Sequence, residues 1–492
     1  MTICFIGNSF KYEAEAIVKL FLPVEKFGYL FEEYPSEGDF CLIKRETAGS
    51  GYKLSVSVRI GDRTESREET ADGGFNDKED EAKLCGMLFD ILKRLTGISP
   101  PWGSMTGIRP VKKVAALLEK GLDKAAAFAE LKEKYDISEE KLELAYLTAA
   151  TQSKALKLAD KRSYSLYISI PFCPSRCSYC SFVSRSIESA GAKKLIPQYV
   201  EKLCEELADT ANIARELDLR LDTVYIGGGT PTALPAEQLE AVMAAVQKNF
   251  DISKIPEYTV EAGRSDTIDE KKLEIIRDFG ATRISVNPQT MNDSVLEAIG
   301  RRHTAADVVK AFKAARRLGF DNINMDVIAG LPTDTPVSFE RTMETLCGLD
   351  PESITIHTLT LKRASNLFES AAGGERENDC RAGEMVRLGQ KMLLERGYLP
   401  YYLYRQKNTV ENLENTGFAK AGRECLYNIY IMDETQTILA AGAGGSTKLV
   451  DNSTGRIERL FNYKYPYEYI SRYDKMIEKK KFIKEFFEGA GR

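Results

Sequence analysis

The sequence predicts an α/β protein organised around a partial (β/α)6 barrel over residues 163–375, preceded by an N-terminal α+β domain (1–160) and followed by a smaller α+β cap (376–492). Two observations carry this. From about residue 163 the chain repeats strand, loop and helix, with strand candidates at 165–170, 222–226, 258–262, 282–286, 322–328 and 353–359. One strand per helical unit implies a parallel sheet with right-handed crossovers, curved into a complete or partial barrel. The second observation is position. Residues able to do chemistry follow the strand ends: Cys173, Cys177 and Cys180 after the first strand, Gly227, Gly228, Gly229 and Thr230 after the second. The carboxyl ends of the strands are where such an architecture gathers its functional groups.

Ahead of the barrel, period-two segments such as YKLSVSVRI (52–60) alternate with helical ones such as EDEAKLCGMLFDILKRL (79–95). The polar stretch 69–80 reads as a loop, and Ser99–Gly103 as a turn before the helical VKKVAALLEKGL, with the lone Trp102 as a packing residue. Beyond 380 the pattern is less regular and tyrosines accumulate, among them Tyr398, Tyr401, Tyr402, Tyr404, Tyr427 and Tyr430. Such rings either pack a core or offer a flat wall to a large planar ligand at a barrel mouth.

A chain of 492 residues with a formal charge of −5 and a pI of about 5.6 has no global basic field, so nucleic acid is not an expected partner. Ten cysteines, most of them isolated, do not form a secreted disulfide framework in a chain this long, which points to a reducing compartment. The opening MTICFIGNSFKYEAE lacks a basic-then-apolar signal pattern, and no run of about 18 apolar residues occurs. A soluble cytoplasmic protein without a membrane span is expected.

The cysteines stand in SLYISIPFCPSRCSYCSF as C-x3-C-x2-C. Three thiolates on one tight loop can hold three corners of an iron–sulfur cluster, and because a [4Fe–4S] cluster takes four cysteines, a lone trio leaves one iron open to another ligand. The competing zinc reading wants four closed ligands. The chain offers only His303 and His357, far from the trio, and no second C-x-x-C pair. In IGGGTPT (226–232) three glycines follow a strand, so bare backbone can approach a ligand; a simple turn is the alternative. Glu261 ends the third strand candidate and Gln289 follows the fourth; a carboxylate there could hold a ribose or an ammonium group, or be a capping residue. Asp326, inside the apolar run NINMDVIAGLP, reads as a buried carboxylate in need of a partner. Arg301 suits either a ligand carboxylate or the surface.

Together these residues resemble a known family. The loop with its leading Y-x-x-I-P-F-C, GGGTPT, the strand ending in Glu261, RIS…Q, GRRHT and D-x-I-x-G-L-P are similar to the radical S-adenosylmethionine enzymes over about 163–470. More narrowly they resemble oxygen-independent coproporphyrinogen III dehydrogenase and its relatives, which include haem chaperones. The N-terminal extension with its TGIRP segment (106–110) is similar to the HemZ branch.

The resemblance implies a [4Fe–4S] cluster held by Cys173, Cys177 and Cys180, with S-adenosyl-L-methionine on the open iron. It implies reductive cleavage to a 5′-deoxyadenosyl radical, hydrogen abstraction from a propionate β-carbon, and loss of carbon dioxide to leave a vinyl group. By position, Tyr167, Gly228 and Glu261 match contacts to the first S-adenosylmethionine. Tyr179, Gly229, Thr230, Gln289, Arg301, Asp326 and Thr360 match contacts to a second. The implied partners are a tetrapyrrole substrate and an electron donor such as flavodoxin or ferredoxin. One departure is Phe182, which stands where the coproporphyrinogen enzyme carries a further cysteine and the chaperones do not.

Overall fold

The computed structural model describes residues 1–490 except 24, 36, 183, 361–380, 407 and 408. The chain divides into two compact units, one of 1–146 with 405–413, the other of 147–404 with 414–492.

The first unit holds a five-stranded sheet built from β1 (Thr2–Ile6), β2 (Gly28–Phe31), β3 (Phe40–Ala48), β4 (Gly51–Ile60) and β5 (Arg63–Asp72), in the order β2-β1-β3-β4-β5. Period two in β4 puts Tyr52, Leu54, Val56 and Val58 into the core, against Leu84, Leu88, Ile91, Leu92 and Leu95 of the helix Asp77–Thr96. The stretch 69–80 is not the loop its polarity suggests. Residues 69–72 pair with 51–54 across the hairpin and Asp77 already starts the helix. β5 is a charged edge strand, and ladder pairing to β4 overrides its composition. Trp102 is buried, with the Arg405 guanidinium 5.8 Å from its ring centre.

Among the described residues the second unit is built on a sheet of eleven strands. Its centre is the expected parallel set: β6 (Ser163–Ile170), β9 (Arg220–Gly228), β10 (Glu257–Gly263), β11 (Arg283–Val286), β12 (Ile323–Ala329) and β13 (Ser353–Thr358), adjacent in that order and all parallel. The short β7 (Phe172–Cys173) and β8 (Arg185–Ser186) pair with each other. The C-terminal segment extends both edges of the sheet. β14 (Leu399–Arg405) and β15 (Glu414–Ala419) continue from β13, while β16 (Thr437–Ala441), β17 (Ser446–Asp451) and β18 (Arg456–Phe461) continue from β6.

The two faces of the parallel set differ in chemistry. One carries Leu166, Ile168, Val224, Ile226, Val260, Ile284, Val286, Met325, Val327, Ile354 and Ile356, all buried. These pack under the helices that follow each strand, each side chain contributing about 1.5–3 kcal/mol by burial. The other face carries Ser165, Tyr167, Thr223, Tyr225, Thr259, Glu261, Arg283, Ser285, Asn324, Asp326, Thr355 and His357. Register keeps this polar row together, since Tyr225 lies beside Tyr167 and Thr259, and Asp326 beside Thr355. The covering helices start on side-chain caps: Ser189 before Ala190–Glu216, Asp269 before Glu270–Asp278, and Thr304 with Asp307 as a capping box before Ala305–Arg317. Among the described residues no helix is long and apolar enough to cross a membrane.

Candidate active site

β6 ends at Ile170, and Pro171 turns the chain into the cysteine loop, which the β7–β8 pair closes. Local hydrogen bonds fix its shape. Cys180 N donates to Cys177 O at 3.1 Å, and Ser186 Oγ to Pro174 O at 2.7 Å. The helix end at Ile299–Gly300 anchors the loop through Ser178 N to Ile299 O (3.1 Å) and Ser175 Oγ to Gly300 O (3.2 Å). Cys173 and Cys180 are partly covered, and Cys177 is buried. Burial pushes the Cys173 and Cys180 thiols above their ordinary pKa, and charge on neighbouring cysteines of the trio adds to this. Among the described residues no three His, Cys, Asp or Glu side chains converge as the ligands of a single metal ion do. A cubane asks for a different arrangement, one thiolate on each of three separate irons, and an all-sulfur donor set on one loop fits that group.

The glycine run packs against this loop. A Cβ on Gly229 would lie 2.6 Å from Phe172 O, 2.9 Å from Ile170 O and 3.0 Å from Cys173 Sγ. Gly228 has φ +108°, a conformation that L side chains rarely adopt. The amides of Gly229 and Thr230 donate to Ile170 O and Phe172 O, both at 2.8 Å, and Thr230 Oγ1 donates to Cys173 Sγ at 3.5 Å. The glycines thus let a strand end pass directly under the thiols.

On β6, β10, β12 and β13 a single residue per strand escapes full burial: Tyr167, Glu261, Asp326 and His357. All four lie on the polar face, toward the strand ends that carry the cysteine loop, and with half-buried Tyr225 of β9 they are partly exposed side chains of that inner face, the lumen side of the sheet. Tyr225 Oη donates to Glu261 Oε1 at 2.5 Å, and its ring stacks on Tyr427 at 4.5 Å between centroids. Burial lifts the Glu261 carboxyl to about 7; the Tyr225 hydrogen bond opposes the shift and the charge of Asp326 adds to it. Asp326 accepts from Asn324 Nδ2 at 2.7 Å and faces His357 Nε2 at 3.8 Å. Burial works against its charge, but the His357 neighbour prevails and its pKa falls below the ordinary value. Its side chain is 19% exposed, so the carboxylate expected to be buried in fact reaches the lumen.

Arg301 joins the two halves of the site. It donates to Asn287 O at 2.6 Å and to Tyr179 Oη at 3.1 Å, tying the GRRHT turn to the cysteine loop. Gln289 is held at φ +70°, rare for a non-glycine residue, by backbone hydrogen bonds to Asp326 O and from Ile328 N, both 2.9 Å. Gln289 Oε1, Asn287 Oδ1, Arg301 Nε and Ser178 Oγ are buried without a hydrogen-bond partner among the described residues. Such orphaned groups close to the thiols suit a polar ligand. Thr360 stands apart: its hydroxyl donates to Thr358 O at 3.3 Å, and among the described residues no hydrogen bond links it to the others.

Sequence reasoning passed over Tyr225, His357 and Arg264. The parity of DTVYI and SITIHTL, with polar residues alternating against aliphatic ones, places Tyr225 and His357 on the inner face. Arg264 gave no such signal, because its contacts to the cysteine loop are with residues nearly 90 positions away.

This combination of an open parallel α/β sheet with three thiols after its first strand defines a class of protein. Residues 167–346 match the Radical SAM superfamily, and the chain belongs to that superfamily, whose members use a [4Fe–4S] cluster and S-adenosylmethionine. Within it, the chain belongs to the group of the oxygen-independent coproporphyrinogen-III oxidase-like protein HemZ of Bacillus subtilis, with 38% identity over 84% of this chain and 82% of that protein. The haem chaperone HemW of the same organism is 32% identical over 57% of this chain and 70% of its own length. The solved structure of coproporphyrinogen III oxidase (HemN) from Escherichia coli, a radical SAM enzyme, shares the fold with a TM-score of 0.50 at 20% identity, covering 70% of this chain and 74% of that one.

Proposed function

We propose that this protein oxidatively decarboxylates coproporphyrinogen III to protoporphyrinogen IX. The observation that carries the reading is the likeness to a coproporphyrinogen-III oxidase-like protein over more than four-fifths of both chains. A bound cluster with S-adenosylmethionine would supply one-electron chemistry able to take a hydrogen atom from a propionate β-carbon, and the electron freed as carbon dioxide leaves would return to an oxidised acceptor such as the cluster. The chain's own residues do the rest. Cys173, Cys177 and Cys180 hold three irons and leave the fourth open. Tyr167, Gly228 and Glu261 hold the first S-adenosylmethionine, with ionised Glu261 as acceptor for its amino group or its ribose. Tyr179, Gly229, Thr230, Gln289, Arg301, Asp326 and Thr360 hold the second. Residues 376–492 cover the substrate, and residues 1–160 are a domain of separate role. The electron comes from a small redox protein of the flavodoxin or ferredoxin kind.

A second reading is a haem-binding protein of the same fold without turnover. It is favoured by the likeness to HemW and by the exposed Phe182 in place of a further cysteine. Anaerobic turnover of the reconstituted protein with S-adenosylmethionine, a strong reductant and coproporphyrinogen III separates the two. Protoporphyrinogen IX accompanied by 5′-deoxyadenosine is the expected product pair. S-adenosylmethionine cleavage with the porphyrinogen left intact transfers the assignment to haem binding or to radical chemistry on another tetrapyrrole.

A further inference from the structure

Arg264 is placed where no surface or substrate role can use it. It follows β10, its side chain is 4% exposed, and its guanidinium is spent in two directions. On one side Nε and Nη2 form a two-point ion pair with Asp266, at 2.9 and 2.6 Å. On the other, Nη1 donates to Ser175 Oγ at 2.9 Å and to Ser175 O at 3.3 Å, and lies 3.8 Å from Cys177 Sγ. Behind the pair stands His303, buried, its Nδ1 3.8 Å from Asp266 Oδ1. A buried guanidinium is costly unless compensated, and Asp266 compensates it. The remaining N–H groups are thereby aimed at the cysteine loop.

A fixed cationic donor beside a cysteine sulfur has a defined effect on an iron–sulfur centre. The reduced cluster carries one more negative charge than the oxidised one. Hydrogen bonds to sulfur and nearby positive charge favour the reduced form and raise the potential.

We propose that Arg264, oriented by Asp266 and backed by His303, is a positioning residue that sets the reduction potential of the centre held by the cysteine loop. The inference rests on the cysteine assignment above. It concerns the chain's own outer layer of contacts, and it predicts a redox readout separate from turnover. The fork geometry fixes which part of the side chain matters: Lys in its place keeps the charge and loses the two-point pairing.

The test is an EPR-monitored redox titration of the anaerobically reconstituted native protein and of Arg264→Gln, Arg264→Lys and the double variant Arg264→Gln/Asp266→Asn, with iron content measured on each. Arg264→Gln is expected to hold less reduced cluster by roughly tenfold at a fixed poise, about 59 mV toward negative potential for a one-electron couple. Arg264→Lys should recover most of the shift. Native potential and native EPR line shape in a fully loaded Arg264→Gln protein would overturn the proposal. Should Arg264→Gln fail to load, the double variant decides, because it leaves no unpaired buried charge: a lowered potential supports the proposal and a native one overturns it. A native protein that takes up no iron removes the cysteine assignment itself, and this inference with it.

Discussion

The contact between Tyr225 and Glu261 makes the lumen's chemistry measurable. Glu261 sits at about 7 because burial disfavours its charged form, while the Tyr225 hydroxyl, 2.5 Å away, stabilises that form. Tyr225→Phe removes the hydroxyl and keeps the ring stacked on Tyr427. A hydrogen bond to a charged group contributes about 1.5–3 kcal/mol, and at 1.36 kcal/mol per pKa unit its loss lifts the carboxyl by roughly one to two units. The ionised carboxylate is the stronger acceptor for the amino group or ribose hydroxyls of S-adenosylmethionine, so its affinity in the native protein should rise as pH passes up through about 7. In Tyr225→Phe the same rise should come at roughly pH 8–9. Anaerobic equilibrium binding of S-adenosylmethionine across pH, on protein of equal iron content, reads this directly. An unchanged midpoint in the variant would refute the reasoning, since it would mean that Glu261 does not contact S-adenosylmethionine or that the hydroxyl does not bear on its charge. Stability should move with it. A carboxyl raised in the folded state from its ordinary value of 4.5 to about 7 favours folding at acid pH, and that contribution is lost as pH rises through about 7.

Gly229→Ala would force a Cβ to within 2.6 Å of Phe172 O and 2.9 Å of Ile170 O, backbone atoms that cannot rotate away. Overpacking of about 1–3 kcal/mol and a displaced loop should appear as reduced iron loading, and full loading with an unshifted melting temperature would contradict it. Arg301→Ala should leave iron content intact and abolish turnover, because all three cysteines of the loop remain while the ties to Tyr179 and Asn287, and the guanidinium beside Cys177, are lost; full activity would dissociate Arg301 from the substrate side of the site. Glu206→Gln should cost about 3–5 kcal/mol in chemical denaturation, because it strands the buried Lys480 ammonium 2.7 Å away. Glu206 also accepts from Gly442 N, Asn462 Nδ2 and Tyr469 Oη, so a loss under 1 kcal/mol would show that this network relaxes freely.

What the sequence determined by itself was local and periodic. The six parallel strands fall within a few residues of their expected positions, because apolar alternation and the intervening 3.6-residue helical periods are properties of short windows. The cysteine trio was legible for the same reason: C-x3-C-x2-C is a spacing, and spacing survives without a third dimension. Misreading began where pairing outweighed composition. The polar residues 69–72 form a strand only because β4 lies beside them, and the tyrosine-rich tail supplies strands to both edges of one sheet. The lumen belongs to the tertiary structure alone. Register sets Tyr225 beside Tyr167 and brings Glu261 within reach of its hydroxyl, and Asp326 meets His357 across neighbouring strands. Arg264 reaches a cysteine 87 residues earlier. Each of these depends on which strands the sheet makes adjacent, and adjacency across long loops is decided by the burial of the whole chain rather than by any segment of it.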